Sequence, residues 1–195
     1  MKTNVLLICC IVFLVGCAHR APTFKYISWK ERKASLEQSK NWTINGSLGI
    51  THSKKRDYAS FKWQQNQDNY VIVISGPLNL SRIKITGDAD QVELCQSGAP
   101  CIKAKSAEQL LFSQFGWRLP ISNMKYWILS LPAPDNKISE SKFDAYGHIT
   151  SFKQQRWKID YTDFQPIKNN IDLPTVIKLQ NPRLAIKLKA RFSFY

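Results

Sequence analysis

The fold is decided near the carboxyl end of the chain, by the stretch Leu184-Ala185-Ile186-Lys187-Leu188-Lys189-Ala190-Arg191-Phe192-Ser193-Phe194. Alternate residues of a β-strand point to opposite faces of the sheet, so these side chains divide into two sets. The first set is apolar and the second polar: Leu184, Ile186, Leu188, Ala190, Phe192 and Phe194 against Lys187, Lys189, Arg191 and Ser193. An alternation of this length predicts an antiparallel strand with one buried face.

Further strands are indicated upstream of this stretch. The same alternation recurs in residues 59–63, 82–86 and 157–161. Residues 70–74 are apolar at every position, which predicts a strand covered on both faces. Turn residues between the strands predict hairpins at residues 67–69 and 145–148.

Three helices are predicted between the strands, over residues 28–40, 106–116 and 122–131. The second has a capping box formed by Ser106 and Gln109, and it ends at Gly116. The third has apolar residues at helical spacing and stops at a proline: Met124, Trp127, Ile128, Leu131 and Pro132.

Many antiparallel strands with a few amphipathic helices predict a mainly β protein. We expect a curved sheet whose concave face is covered by the helices. A sheet face and helix surfaces this apolar form either a solid core or a lined cavity, and periodicity does not decide between the two.

The amino-terminal residues are typical of an exported lipoprotein. Lys2 precedes an apolar run over residues 5–15, which is within the range of a secretory signal and too short to span a membrane as a helix. The run ends in Leu14-Val15-Gly16-Cys17, which resembles the lipobox read by bacterial lipoprotein-processing enzymes. We therefore expect a signal peptide over 1–16, a tether over 17–27 lipidated at Cys17, and a single domain over 28–195. The alternative is a short uncleaved anchor in which Cys17 is incidental.

The residue after Cys17 is Ala18 and not Asp. By resemblance to the lipoprotein sorting rule, this favours delivery to the outer membrane, with the domain on its periplasmic face.

The composition predicts an ordered globular domain with a basic surface. Hydrophobic residues make up 44% of the chain, aromatic residues 12%, and the formal net charge is +14. In an exported protein this charge points away from nucleic acid and toward anionic phospholipid headgroups or an acidic protein. The alternative is that the lysines only solvate exposed strand faces.

The cysteines that remain after export predict a disulfide. Cys95 and Cys101 flank a turn and lie in an oxidising compartment, so we expect them to pair. Two cysteines alone do not complete a zinc site, and we expect no metal.

Residues for catalysis are missing from the sequence patterns. No nucleophile elbow, metalloprotease, dinucleotide-binding or phosphate-binding motif occurs. His19, His52 and His148 lie in predicted tether, strand-end and turn positions, where we interpret them as solvated surface residues. We expect neither an enzyme nor a bound cofactor.

A series of short motifs resembles the LolB family of outer-membrane lipoprotein receptors. The resemblance covers nearly everything from Trp42 to the end of the chain and lies in the order and spacing of residues 42–49, 61–65, 76–78, 106–111, 116–121, 126–132, 154–161 and 173–174. Two residues depart from the family pattern, which often has glycine where this chain has Asn79 and Arg156. Asn79 should keep the local loop, whereas Arg156 puts a turn or bulge in question.

The resemblance implies an incomplete antiparallel β-barrel (a half-barrel) of about eleven strands, with an apolar concave face covered by about three helices. It implies a monomer that accepts triacylated lipoproteins from the periplasmic carrier LolA and inserts them into outer-membrane phospholipid. It also implies that Leu78, beside Pro77, protrudes from a loop that enters the membrane. Candidate residues of the acyl-chain cavity are Phe61, Trp63, Ile72, Ile83, Ile85, Leu111, Phe115, Trp127, Ile128 and Leu131.

Other classes of function stay open at this point. An outer-membrane lipoprotein on a similar half-barrel would bind another amphiphile, such as a glycolipid. A structural lipoprotein of an envelope assembly would have a solid core and no cavity. An enzyme would need acidic residues gathered around His148 in a cleft.

Overall fold

The computed structural model describes residues 22–52, 55–76, 81–134, 136–168 and 171–195. In these residues the chain forms eleven strands and three helices. The helices are α1 (Trp29–Glu37), α2 (Ala107–Phe115) and α3 (Ile121–Trp127). The strands are β1 (Asn41–His52), β2 (Lys55–Asn66), β3 (Asn69–Ser75), β4 (Arg82–Gly87), β5 (Val92–Gln96), β6 (Ile102–Ala104), β7 (Ile138–Phe143), β8 (Ile149–Gln154), β9 (Trp157–Lys168), β10 (Ile171–Gln180) and β11 (Leu184–Phe194).

All eleven strands belong to one antiparallel sheet, in the order β6-β5-β4-β3-β2-β1-β11-β10-β9-β8-β7. Hairpins connect the strands on each side, and the pairing of β1 with β11 joins the first and last strands at the centre. The order ends at β6 and β7, so the sheet is open. The predicted half-barrel of about eleven strands is therefore confirmed.

Strand β11 has the predicted two faces. Ile186, Leu188 and Ala190 are buried on the face that the helices cover, which we call the inner face. Lys187 and Lys189 are exposed on the opposite, outer face. Because Leu188 lies opposite Leu48 of β1, the apolar rows of the two central strands meet on the inner face.

Strand β3 departs from the prediction that both its faces are covered. Ile72 is buried on the inner face, but Val71 and Val73 on the outer face are only half-buried. Val73 lies between Lys62 and Lys84 of the neighbouring strands. The aliphatic stems of these lysines partly cover Val73, so the outer face of β3 can be apolar without a second layer of structure packed on it.

The helix ends follow from the local sequence. Helix α1 begins after Ser28, whose side chain forms a capping box with Glu31, and it ends three residues earlier than predicted. In α2, Ser106 accepts from the Gln109 backbone N–H, and Gly116 at φ 70° ends the helix in the left-handed conformation.

Helix α3 is shorter than predicted. It ends at Trp127, and residues 128–130 form a turn in which Ser130 has a φ of 59°. The predicted helical position of Leu131 is therefore wrong: the residue is buried beyond the helix, where the chain turns toward β8.

The described end of the predicted tether packs on the domain. The ring of Phe24 lies 5.0 Å from that of His148 and 5.4 Å from that of Tyr146. The Ile27 backbone N–H donates to the Tyr146 carbonyl. Gly147, at φ 81°, lies so close to the Ile27 carbonyl that a Cβ would meet its oxygen at 2.0 Å. The turn before β8 thus needs glycine in order to seat this segment.

Candidate functional site

An apolar cavity lies between the inner face of the sheet and the layer formed by α2, α3 and the loop that joins them, which we call the lid (residues 107–127). Its volume is about 50 Å³. Six of the predicted cavity residues line it: Phe61, Trp63, Ile72, Ile85, Leu111 and Ile128. The other lining residues are Leu48, Ile50, Ile74, Trp117, Leu119, Ile121, Met124, Ile186 and Leu188, so every side chain around the cavity is apolar.

Strand register forms the floor of the cavity. Ile72 lies directly between Trp63 and Ile85 on neighbouring strands, and Phe61 lies beside Ile74. The indole N–H of Trp63 donates to the side-chain oxygen of Gln65 at 3.0 Å, outside the cavity. The floor therefore presents no unpaired donor to a ligand.

The lid meets the floor mainly through apolar side chains. Leu111 comes from α2, Trp117 and Leu119 from the loop, and Ile121 and Met124 from α3. The two helices are linked to each other by Glu108, whose carboxylate accepts from the backbone N–H and the hydroxyl of Ser122 at 2.8 Å each. Both bonds are exposed and connect two parts of the lid, so they do not hold the lid to the sheet.

Buried hydrogen bonds fix the carboxyl end of α3 to strands β8 and β9. The amide of Gln154 makes four of them: its oxygen accepts from the indole N–H of Trp127 and the N–H of Ala133, and its nitrogen donates to the carbonyls of Ala133 and Asn136. The Tyr161 hydroxyl donates to the Trp127 carbonyl at 2.6 Å. Complete burial raises the pKa of Tyr161 well above its ordinary value, so this hydroxyl stays a donor.

Four predicted cavity residues lie elsewhere. Ile83 is half-buried at the start of β4, beside Ile74 and Gln96. Phe115 is half-buried against the core and packs on Trp117, outside the cavity lining. Trp127 and Leu131 are buried, but both fall at or beyond the end of α3, where the chain turns to Gln154.

Three further predicted site residues lie outside the described residues. These are the lipidated Cys17 and the loop residues Pro77 and Leu78. The loop's flanks are described: the Gly76 N–H donates to the Ser81 carbonyl, which closes the connection between β3 and β4.

The interpretation of His148 as a solvated residue is wrong. Its side chain is fully buried and bridges two carboxylates, with Nδ1 2.7 Å from Asp144 and Nε2 3.1 Å from Asp172. Asp172 also accepts from Arg32 of α1 at 2.9 Å, and the His148 ring stacks on Phe164 at 4.2 Å. Sequence reasoning missed this cluster because its members come from four separate segments.

The cluster holds α1 to the sheet, and its histidine ring is closed off from solvent. Burial raises the pKa of Asp144, but hydrogen bonds from the His148 side chain and from the backbone N–H groups of His148 and Tyr146 outweigh burial and lower it. We name strands β8–β10, α1, residues 129–134 and Asn136 the locked half of the inner face. Strands β1–β4 and β11 with the lid are the cavity half.

Cys95 and Cys101 are joined in a disulfide across the β5–β6 turn. Together with Glu93 they are the group of potential metal ligands that the described part of the chain brings together. Their sulfur atoms are bonded to each other, so neither offers a thiolate to a metal. Among the described residues no helix is both long and apolar enough to cross a membrane.

Three comparisons place these features among known proteins. The family model described as outer membrane lipoprotein LolB matches residues 40–191. The outer-membrane lipoprotein LolB of Cellvibrio japonicus is 34% identical over 91% of this chain and 89% of its own length. That of Pseudomonas fluorescens is 36% identical over 82% of this chain and 77% of its own length.

A similar fold occurs in the crystal structure of a LolA superfamily protein from Nitrosomonas europaea. The TM-score is 0.59, with 8% identity, over 87% of this chain and 94% of that one. At this identity the likeness concerns the fold, and it supports an open antiparallel sheet with helices on one face.

Proposed function

The chain belongs to the LolB family of outer membrane lipoproteins, and we propose that its apolar cavity receives the acyl chains of lipoproteins on their way into the outer membrane. The donor is the carrier LolA, and the receptor works without catalysis. The observation that carries the proposal is a cavity lined only by apolar side chains, beneath a lid that rests on the sheet through apolar contacts at its α2 end.

Acyl chains need such a site because each methylene moved from an apolar environment into water costs about 0.8 kcal/mol. Transfer between two membranes therefore requires protein cavities that shield the chains at each stage. An apolar lining shields without directional bonds, so it does not require one particular chain length or register.

The cavity has to enlarge before it holds an acyl chain. Its volume of about 50 Å³ is smaller than an engineered cavity of about 150 Å³ that takes up benzene. We propose that the lid separates from the floor around Leu111, Trp117 and Leu119, and that acyl methylenes replace these apolar contacts one for one. The free-energy cost of opening is then offset by the chains that enter.

The carboxyl end of α3 is the fixed point of this movement. Its buried partners, Gln154 and Tyr161, have no replacement in an acyl chain, because methylenes neither donate nor accept hydrogen bonds. Opening at that end would leave buried polar groups unpaired, whereas opening at the α2 end would not.

Release is assigned to the β3–β4 loop that contains Pro77 and Leu78. The described residues next to the loop include Arg82 and Lys84, both exposed, which suit anionic headgroups. We propose that Leu78 enters the membrane while these cations hold the loop at its surface. Lipid on Cys17 would keep the protein, as a monomer, at that membrane.

A transfer assay tests the proposal. Carrier loaded with a radiolabelled lipoprotein is mixed with the chain from Ala18 onward, in wild-type form and as Leu78→Glu, with Asn79→Glu as a control of equal charge. Label should move from the carrier to all three proteins, and then to liposomes from the wild type and Asn79→Glu only.

Two outcomes would contradict the proposal. Label that stays on the carrier in every case would reject lipoprotein reception and favour binding of another amphiphile. Equal delivery to liposomes by Leu78→Glu would reject the role of the loop and leave reception intact.

A further inference from the structure

The outer face of the central strands carries a group of cations whose use the proposed function leaves open. They lie on β2, β4, β10 and β11, and with the intervening β1 and β3 they span six adjacent strands. Each is exposed, and each alternates with inner-face residues along its strand. We call this surface the basic outer face: Arg56, Lys62, Arg82, Lys84, Lys178, Lys187, Lys189 and Arg191.

None of these eight cations forms an ion pair with an acid in the described part of the chain. The acids at the border are few. Asp160 lies opposite Lys178 in the neighbouring strand but is paired with Lys158 at 2.9 Å, and Glu93 lies near Lys103 on the far side of β4. Asp163 lines a cleft shared with Lys189 and Arg191. The positive charge of the face is therefore largely uncompensated.

The pairing of the strands increases the repulsion between these cations. Lys187 of β11 lies directly opposite Lys178 of β10. Lys62 and Arg191 flank the same residue of β1, Asn45. Like charges opposite each other destabilise a sheet, and an anionic surface that binds them removes the repulsion.

The centre of the face is low and open. Strand β1 presents Ser47, Gly49 and Thr51 there, and the ring of Tyr58 lies across Gly49. A cleft of about 530 Å³ runs over these small residues, with Lys187 and Lys189 among its walls. It gives headgroup oxygens access to several ammonium groups at once, and Tyr58, 67% exposed, offers an amphipathic ring of the kind found at membrane interfaces.

We infer that the basic outer face docks on the anionic phospholipid surface to which the lipid anchor holds the protein. The uniform positive charge of the face favours a membrane that contains anionic lipid. Six strands at a spacing of about 4.8 Å extend some 24 Å, which matches a continuous layer of headgroups more closely than a local set of carboxylates.

The short tether also favours the membrane as the surface that binds the basic outer face. With Phe24 packed on Tyr146 and His148, at most the residues from Cys17 to Phe24 are free to extend, and at about 3.5 Å per residue they reach roughly 25 Å. A tether of this length would keep the domain within a few tens of ångströms of the membrane surface. Arg82 also belongs to the face, so docking brings the β3–β4 loop beside the same membrane.

Lysine footprinting of the lipidated full-length protein tests this inference. The protein is reconstituted in vesicles of phosphatidylcholine alone or with phosphatidylglycerol, and anchored protein is isolated by flotation before acetylation. Mass spectrometry then compares Lys62, Lys178, Lys187 and Lys189 with the exposed reference residues Lys105 and Lys137.

Acetylation of the outer-face lysines should slow by about threefold or more with phosphatidylglycerol, and the reference lysines should not change. In Lys187→Glu/Lys189→Glu the protection of Lys62 and Lys178 should disappear, whereas Lys30→Glu/Lys142→Glu, at exposed positions away from this face, should keep it. Equal reactivity in both kinds of vesicle, or protection that survives Lys187→Glu/Lys189→Glu, would overturn membrane docking. Equal reactivity would instead favour an acidic protein as the binding partner of the basic outer face. Lipoprotein transfer is measured separately with the radiolabelled lipoprotein, so a failure of membrane docking does not imply a failure of transfer.

Discussion

The two halves of the inner face are built from the same kinds of strand but are held together differently. In the locked half, Arg32, His148, Gln154 and Asp172 are buried and joined by hydrogen bonds that cross between elements. In the cavity half, the lid rests on the sheet mainly through apolar side chains, and its buried hydrogen bonds to the strands are at Trp127, where it meets the locked half. Polar bonds are lost outright when buried partners separate, whereas apolar contacts are exchanged for those of a ligand. We therefore expect the half-barrel to open in the cavity half and to stay closed in the locked half.

Breaking the ion pair of the locked half should have the largest effect. Asp172→Ala leaves the buried guanidinium of Arg32 and the ring of His148 without their shared acceptor. Loss of one partner of a buried pair costs about 3–5 kcal/mol of unfolding free energy. Urea denaturation measures it, with Glu37→Ala, which breaks the exposed pair with Lys33, as the control. A loss below about 1 kcal/mol, as expected for a surface pair, would show that this cluster does not fix α1.

Removing the amide of Gln154 should have the next largest effect. Gln154→Leu leaves the Trp127 indole and both polar groups of the Ala133 backbone without partners inside the core. At about 1–3 kcal/mol for an unsatisfied buried group, the unfolding free energy should fall by about 3 kcal/mol. Gln114→Ala, on the exposed face of α2, should change it little. If Gln154→Leu unfolds like the wild type, the carboxyl end of α3 is not a fixed point.

A truncation in the cavity half should cost stability and yet favour binding. Met124→Ala removes a lid side chain from the cavity wall and should lower the unfolding free energy by about 2 kcal/mol. The space should let a fluorescent fatty acid bind more tightly than to the wild type. Leu129→Ala, also buried but outside the cavity, should lose similar stability without the gain in affinity. Equal or weaker binding by Met124→Ala would contradict a ligand site beneath the lid.

The smallest expected effect is the pH dependence of the locked half. The pKa of Asp144 is lowered in the folded protein, so its carboxylate stabilises the fold above its unfolded pKa of about 4, and this contribution is lost as pH falls through the folded value. The stability difference between the wild type and Asp144→Asn should therefore shrink as the pH is lowered below about 4. A difference that stays constant across this range would remove Asp144 from the network.

Sequence patterns predicted the cavity half more fully than the locked half. Alternation along a strand shows which of its side chains share a face, so Phe61 could be grouped with Trp63 by spacing alone, whereas the uniformly apolar run around Ile72 did not show which side chains face the cavity. The helical spacing of Leu131 gave a wrong prediction, because the turn at Ser130 interrupts the helix that the pattern implies.

The locked half has no comparable periodic signal. Arg32 lies in a mostly polar helix, and His148 lies in a turn whose sequence is typical of an exposed one. Their burial depends on Asp172, far along the chain, and a single sequence does not show which polar residues meet across such distances. Cavity size was also beyond prediction, because it depends on how closely Trp117 and Met124 pack on the floor.

The most direct test of the central claim is to ask which half of the inner face touches acyl chains during transfer. A photoreactive benzoylphenylalanine is placed at Met124 in the cavity wall or at Phe164 in the locked half, and carrier loaded with lipoprotein tritiated in its acyl chains is added before irradiation. We expect a tritiated adduct with the probe at position 124 and none with the probe at position 164. Adducts at both positions, or at 164 alone, would contradict a receptor that opens at its apolar half.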